Sequence, residues 1–273
     1  MTTGAVLFFL GLGGGLLGAV FGIGGGVFLI PILVLFCGFS MLNAVATGLV
    51  TVIATSSAVA AVNLERGLAN IRLGMVLELA TVLGAVLSAF AAGKLPQNLL
   101  VGLFGALLGA VSIMMWKGQG GETAKDRAPA KPGLLDGAYF DPAAGRNVVY
   151  QVRRLGTGLA VSFGAGAVSG LLGVGGGVFK VPAMHLFCGL PMKAAAATSN
   201  FMIGVTAAAS AFLYFNRGAV LPEPTALIVL GVLGGSMAGT WLNLRLKDAG
   251  IRRGFSVLLL LLSIRMLVKA FHG

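Results

Sequence analysis

Lys180 stands in "LGVGGGVFKVP", Leu172 to Pro182, an apolar run opened by three consecutive glycines and followed by a proline. A lysine at the centre of a membrane-depth helix costs about 2.5–3.5 kcal/mol on insertion scales, so it marks a functional site or a charge partner. No acidic residue lies near it in sequence. The ammonium therefore either snorkels to an interface or takes an anion, and a bound anionic substrate would supply one. His185, five residues on, suits a satisfied core position or a proton-handling one. Glu78 is the only acidic residue well inside an apolar span, and is a candidate proton site or ion-pair partner.

The glycines recur. The chain writes "FGIGGGVFLIP", Phe21 to Pro31, 151 residues before the lysine-bearing copy, with Leu29 where the second has Lys180. Gly24, Gly25 and Gly26 in one copy and Gly175, Gly176 and Gly177 in the other can take positive φ and let backbone approach a ligand. Each cluster opens a short apolar helix, whose first N–H groups have no partner within the helix and carry the positive dipole end. Such an end is an anion site. The alternative is close helix packing, which is the reading for Gly11, Gly13, Gly14, Gly15, Gly18, Gly164, Gly166 and Gly170. Polar residues follow each short helix: Thr47 in the first copy, then Thr198, Ser199 and Asn200 in the second. They can contact a ligand or bond between helices. Arg66 and Arg217 end corresponding helices, as anion-attracting gates or snorkelling anchors.

The elements that position these residues are membrane helices. Of 273 residues, 57% are hydrophobic and only 10% charged, against about 25% charged in a soluble domain. Lipid is the solvent that such a chain requires. The start Met-Thr-Thr-Gly lacks a basic n-region, so the first apolar run is expected to remain part of the fold. Apolar runs fall at Gly4–Phe21, Val27–Gly38, Met41–Asn63, Leu73–Gly93 and Gln97–Trp116, then at Leu155–Leu172, Val178–Gly189, Met192–Phe215, Glu223–Leu244 and Gly250–Ala270. Gly22–Gly48 matches Gly173–Ser199 at 15 of 27 positions without a gap. The expectation is an all-α integral membrane protein of two tandem repeats, residues 1–116 and 155–273, joined by a cytoplasmic linker over 117–154. The short runs, about 18 Å as helix, fall well short of a hydrocarbon core of about 30 Å. They must begin or end inside the membrane, with Pro31 and Pro182 early in each, where a missing N–H costs little. The linker's first part reads as disordered, and its second part, "AYFDPAAGRNVVYQV", as a small hairpin.

Charge sets the orientation. With 19 Lys+Arg against 8 Asp+Glu, the excess lies in loops, which is the pattern of membrane topology rather than of nucleic-acid binding. Inverted repeats with the linker inside place fourteen basic residues inside and four outside, whereas parallel repeats give twelve and six. The inverted arrangement is favoured, with both termini outside. Cys37 and Cys188 read as small core residues. No metal-ligand spacing, nucleophile elbow or cofactor fingerprint occurs, so neither a metal nor a cofactor is expected. An embedded enzyme is disfavoured, and a channel is disfavoured by the scarcity of polar residues in the spans.

The doubled "GxGGGxxxxP" (Gly22–Pro31 and Gly173–Pro182), each followed by Ala46-Thr47-Gly48 or Ala197-Thr198-Ser199 and then by an Arg-Gly turn, resembles the TauE/SafE sulfite exporter family. The resemblance covers nearly the whole chain outside the linker. It implies a multi-pass secondary transporter, an exporter working by alternating access, in a bacterial or archaeal cytoplasmic (inner) membrane. It also implies a small sulfur-containing or organic anion, such as sulfite or a sulfonate, and leaves room for protons or another coupling ion. Gly48 departs from the "ATS" of the second copy, so a two-fold symmetric ligand shell would lack one hydroxyl. A topology reporter fused after Gly273 is expected to be active only outside the cytoplasm. Activity confined to the cytoplasm would reject the inverted arrangement.

Overall fold

The computed structural model describes residues 4–21, 24–117, 133–141, 145–243 and 249–272. Its helices are α1 (Gly4–Phe21), α2 (Gly26–Phe36), α3 (Met41–Glu65), α4 (Ile71–Ala92), α5 (Gln97–Lys117), α6 (Leu155–Leu172), α7 (Gly177–Leu186), α8 (Met192–Asn216), α9 (Pro222–Asn243) and α10 (Ala249–His272). Strands β1 (Gly137–Asp141) and β2 (Arg146–Tyr150) pair antiparallel, with Tyr139 opposite Val148. This is the hairpin expected in the linker. The stretch expected to be disordered lies mostly outside the described residues.

Boundaries follow local chemistry. Ser40 Oγ accepts from the N–H of Asn43 to start α3, and Asn70 Oδ1 accepts from that of Leu73 to start α4. The Arg-Gly pairs are helix stops: Gly67 and Gly218 adopt φ of +63° and +68°. The N–H groups of Leu68 and Ala219 return to the carbonyls of Asn63 and Tyr214. The repeated motif thus owes its glycine to backbone geometry.

Six helices (α3, α4, α5, α6, α8 and α9) are long and apolar enough to cross a membrane, while α2 is one of the shorter apolar ones. On α4, Met75, Leu79, Leu83, Leu87 and Phe90 make an exposed apolar stripe, while Leu77, Glu78, Thr81 and Ala85 are buried on the other side. Apolar side chains facing outward at helical spacing fit a lipid surround. All of this agrees with an all-α integral membrane architecture.

The halves interlock. α1 packs on α9 and, correspondingly, α6 packs on α4; α3 packs on α8 and α5 on α10. Glycine allows the first two pairings. A Cβ on Gly15 would lie 2.3 Å from the Val232 carbonyl oxygen, and one on Gly166 would lie 2.0 Å from that of Thr81. Reciprocally, a Cβ on Gly84 would meet the Phe163 oxygen at 2.2 Å, and one on Gly235 the Leu12 oxygen at 2.0 Å. Each contact in one pair has its counterpart 151 residues away in the other. Small residues that let backbones touch take the place of a hydrophobic driving force, which lipid cannot supply. The expectation that Gly13 and Gly164 are packing glycines is corrected: a Cβ on either would meet nothing within 4 Å.

The hairpin caps the end of the bundle where α4 begins and α7 ends. Tyr139 and Tyr150 are buried with Leu73 and Leu77 of α4 and with Met184, Cys188 and Leu190 around the end of α7. Asn70 Nδ2 donates to the Leu135 carbonyl, and Asp136 accepts from the N–H groups of Gly133 and Val152. The Arg153 N–H donates to the Cys188 carbonyl. Cys37 and Cys188 are both free thiols.

Because the Cβ of Gly235 has no room, Gly235→Val is expected to destabilise by about 1–3 kcal/mol or more. Gly13→Val, facing open space, should stay near wild type. Thermal melts in detergent check the pair, and equal melting temperatures would contradict this packing.

Candidate functional site

Both glycine clusters converge on the centre of the α3–α8 pair. A Cβ on Gly24 would touch Val52 of α3, and one on Gly175 would touch both Val52 and Ile203 of α8. Val52 and Ile203 are themselves counterparts in the two copies. The Gly173 carbonyl oxygen would lie 2.7 Å from a Cβ on Gly26, so the second copy's turn lies directly against the first residue of α2. Gly24, Gly175 and Gly176 take φ of +75°, +77° and +70°. Gly25, the N-cap of α2, is right-handed at φ −62°. The positive-φ argument therefore holds for Gly176 and is corrected for Gly25, whose constraint is the Gly14 carbonyl 3.1 Å from its Cβ position. Gly22 lies outside the described residues.

The helices that follow have no side-chain N-caps. Pro31 and Pro182 are sixth in α2 and α7, one turn later than expected. Their rings free the carbonyls of Val27 and Val178 from the usual helical partner, rather than falling where the N–H is spare.

The second copy carries polar atoms that the first lacks. Ser169 Oγ on α6 and Ser199 Oγ on α8 are fully buried and make no hydrogen bond. Both border the α7 turn: Ser199 Oγ is 3.3 Å from the Cβ position of Gly177, and Ser169 Cβ is 3.5 Å from that of Gly176. Ser210 Oγ, further along α8, is orphaned as well. Buried hydroxyls of native proteins have partners, so each orphan calls for one. The counterparts of these three serines are Gly18, Gly48 and Val59. Asn200, also buried, follows Ser199. Among these, the sequence reading contained Ser199 and Asn200 and missed Ser169 and Ser210. The signal was present as polar-for-small exchanges between aligned copies.

One turn into α7, Lys180 is 1% exposed. Its Nζ donates to Thr206 Oγ1 at 2.8 Å and lies 3.4 Å from Glu78 Oε2. Thr206 Oγ1 donates in turn to Glu78 Oε1. The expectation that Lys180 has no carboxylate in reach is corrected: Glu78 comes from α4, 102 residues earlier, because α4 packs on α8 across the two halves. Snorkelling is excluded by the same burial. At the pseudo-equivalent positions stand Leu29, Val229 and Thr55, so the other copy of this triad keeps only its threonine.

The remaining expected residues are occupied elsewhere. Thr47 Oγ1 pairs with Thr225 Oγ1 at 3.1 Å, and Thr198 Oγ1 accepts from the N–H of Asn70 at 2.9 Å. Both tie helices of opposite halves. His185 Nδ1 donates to the Leu190 carbonyl at 2.7 Å and fastens the turn after α7. Arg217 Nη1 and Nη2 donate to the carbonyls of Ala89 and Phe90, with the guanidinium 5.7 Å from the Phe90 ring centre. It caps the last turn of α4, where a cation also complements the helix dipole. Arg66 is exposed at the end of α3. Among the described residues, no group of three or more His, Cys, Asp or Glu could hold a metal.

The bundle of membrane-length helices with two glycine turns at its centre is that of a membrane protein, and comparison with known proteins gives its class as a transporter. The family model "Sulfite exporter TauE/SafE" matches residues 7–266, and the chain belongs to that family. It is 25% identical over 276 residues to "Probable membrane transporter protein YunE" of Bacillus subtilis (strain 168), covering 98% of both chains. No solved structure matches. The protein is thus a multi-pass membrane transporter and not an enzyme.

Removing one member of a buried ion pair leaves an unpaired charge, at a cost of about 3–5 kcal/mol, whereas replacing both by apolar residues is often neutral. Glu78→Val alone is therefore expected to destabilise strongly. Glu78→Val combined with Lys180→Leu, the residues of the other copy, should recover most of the loss. A double-mutant cycle by unfolding in detergent measures this. Additive losses would mean that the two side chains are not coupled.

Proposed function

We propose that this protein is a secondary transporter of a small sulfur-containing anion, such as sulfite or a sulfonate, and that the anion binds at the α7 glycine turn. The observation that carries the reading is the pair of buried, unpartnered hydroxyls, Ser169 and Ser199, beside an uncapped helix N-terminus. Helix N–H groups with the positive dipole end, together with two hydroxyl donors, match the acceptor oxygens of an anion. Gly175, Gly176 and Gly177 let the turn lie directly against Ile203 and the Ala165 carbonyl, where any Cβ would clash, and so bring the α7 N-terminus beside the two serines. Gly24, Gly25 and Gly26 build the facing turn, where the neighbouring Thr55 hydroxyl is already bonded to the Thr51 carbonyl, so the two copies play unequal parts. Asn200 is a neighbouring donor. Thr47 and Thr198, held between helices, support the site's walls.

Transport follows from the interlocked halves. Broken helices at an interface between repeats are where secondary transporters place a site that opens to alternate sides. The proposed arrangement is two inverted halves, 1–116 and 155–273, about a cytoplasmic linker over 117–154, in the inner membrane of a bacterium or archaeon. Arg217 and His185 act in this scheme as fasteners of the α4 end and the α7–α8 turn, and Arg66 attracts anions at an exposed mouth. Export is the direction that the family description suggests.

Purified protein screened with sulfite, sulfate, thiosulfate, sulfoacetate and isethionate is expected to show thermal stabilisation by a subset, rising with concentration. A hydrogen bond to a charged group contributes about 1.5–3 kcal/mol. Ser199→Ala and Ser169→Ala should therefore each weaken binding of the stabilising anion about tenfold or more, and Gly176→Val should abolish it. Flux into liposomes should saturate with anion concentration. Unchanged affinity in both serine variants would move the site away from α7.

A further inference from the structure

Lys180, Glu78 and Thr206 form a closed polar cluster inside a bundle that has, at the pseudo-equivalent position, an apolar solution to the same packing problem. Leu29 and Val229 stand in place of Lys180 and Glu78, and Leu29 is fully buried. A buried ion pair is weak evidence of stabilisation, since apolar residues of similar volume do as well or better. Packing alone therefore does not account for the charges.

The geometry around the ammonium indicates their use. A lysine ammonium has three donors. Thr206 takes one at 2.8 Å, and Glu78 takes a second at the long distance of 3.4 Å. A third is not used by these partners. Side chains on a helix lean towards its N-terminus, so Lys180, one turn into α7, leans towards Gly176. On α8, Ile203 packs on Gly175 and Gly177, and Thr206 lies one turn further along. The ammonium, bonded to Thr206, is thus held on the side of α7 where the glycine turn meets α8.

We propose that Glu78 is the proton-binding site of a proton–anion symporter in which Lys180 exchanges the Glu78 carboxylate for the transported anion. This rests on the anion site proposed above. The charge sum explains the coupling. Empty, the cluster is Lys180 ammonium plus Glu78 carboxylate and is neutral. A monovalent anion entering alone would leave a net negative charge buried in low dielectric, which is strongly disfavoured. A proton that adds to a Glu78 oxygen as the anion enters restores neutrality: the ammonium pairs with the anion, and Glu78 becomes a neutral acid. Thr206, bonded to both, lets the ammonium turn from one to the other. No covalent bond other than O–H forms or breaks, and one proton moves with each anion in the same direction, so export runs when the outward anion gradient exceeds the inward proton gradient.

Other titratable groups on the surrounding elements are engaged elsewhere. On α4, Arg72 donates to the Leu134 carbonyl at the hairpin. On α7, His185 bonds to Leu190, and beyond the end of α8, Arg217 caps α4. Lys193 is exposed at the start of α8, and Arg154 is exposed at the start of α6. Neither Lys180 nor Glu78 has a different ionised neighbour among its hydrogen-bond partners.

The test uses the full chain in liposomes containing a trapped pH dye, with isethionate as probe because its sulfonate stays ionised at working pH. Wild type is expected to move one proton per isethionate, with uptake that rises as the outer pH falls and ignores a clamped membrane potential. Glu78→Gln should move no proton with any isethionate it carries, and Glu78→Asp should restore part of the proton signal. The double variant Glu78→Val with Lys180→Leu guards against a folding defect: it should melt like wild type and give neither proton movement nor pH dependence. Saturable isethionate uptake without protons, or one proton per anion still moved by Glu78→Gln, overturns the coupling and leaves the carrier intact. Absence of saturable uptake of both isethionate and sulfite by wild type overturns the carrier, and the coupling with it.

Discussion

An 11-residue helix reaches about 16 Å, and α2 and α7 are no longer than that. In hydrocarbon, a helix end with free N–H groups has to be enclosed by protein. The architecture follows from that constraint. The ends of α2 and α7 are enclosed by α3 and α8, the most deeply buried of the membrane-length helices among the described residues, whose Val52 and Ile203 both pack against Gly175. The outer pairs α1–α9 and α4–α6 come close enough to seal them only because glycine lets backbone meet backbone. Other features, from the lipid-facing stripe of α4 to the Arg217 cap, keep those walls in place.

Much of the fold was legible because the polarity of lipid leaves few choices. Ten apolar runs became ten helices with ends that moved by a few residues, and Gly-Pro and charge punctuation marked the breaks. The hairpin was legible from apolar runs on both sides of a turn sequence. What sequence could not give was distance across the bundle. Glu78 and Lys180 are 102 residues apart and meet only because helices of opposite halves interlock. The same cause placed Thr47 and Thr198 in bonds between helices, where their spacing alone suggested a ligand. Gly25 and Gly176 look equivalent in sequence and differ in the sign of φ, because the turns they belong to meet different neighbours.

The duplication gives this protein an internal control for each polar residue near the centre. Backbone geometry is largely shared between copies, so differences between them report chemistry. Serine for glycine at 169 and 199, asparagine for leucine at 200, lysine for leucine at 180 and glutamate for valine at 78 all concentrate polarity on one side. Thr206 and Thr55 are the exception, since both copies keep the hydroxyl. Each reaches the carbonyl four residues back, Thr51 or Met202, the ordinary refuge of a threonine in a membrane helix, and only Thr206 has Glu78 and Lys180 as further partners.

The exchange of partners between halves also shapes how the chain is made. α1 waits for α9 and α4 waits for α6, so the first half leaves the ribosome with Gly11, Gly15 and Gly84 lacking the backbones they pack on. The α1–α9 contacts span most of the sequence, and long-range closure of this kind is slow. Until α9 inserts, the Gly11 and Gly15 face of α1 is open to lipid or to another chain. Assembly is therefore a late event governed by the second half, and the linker's length and the hairpin's anchorage at Asn70 set how far apart the two halves can drift before they lock.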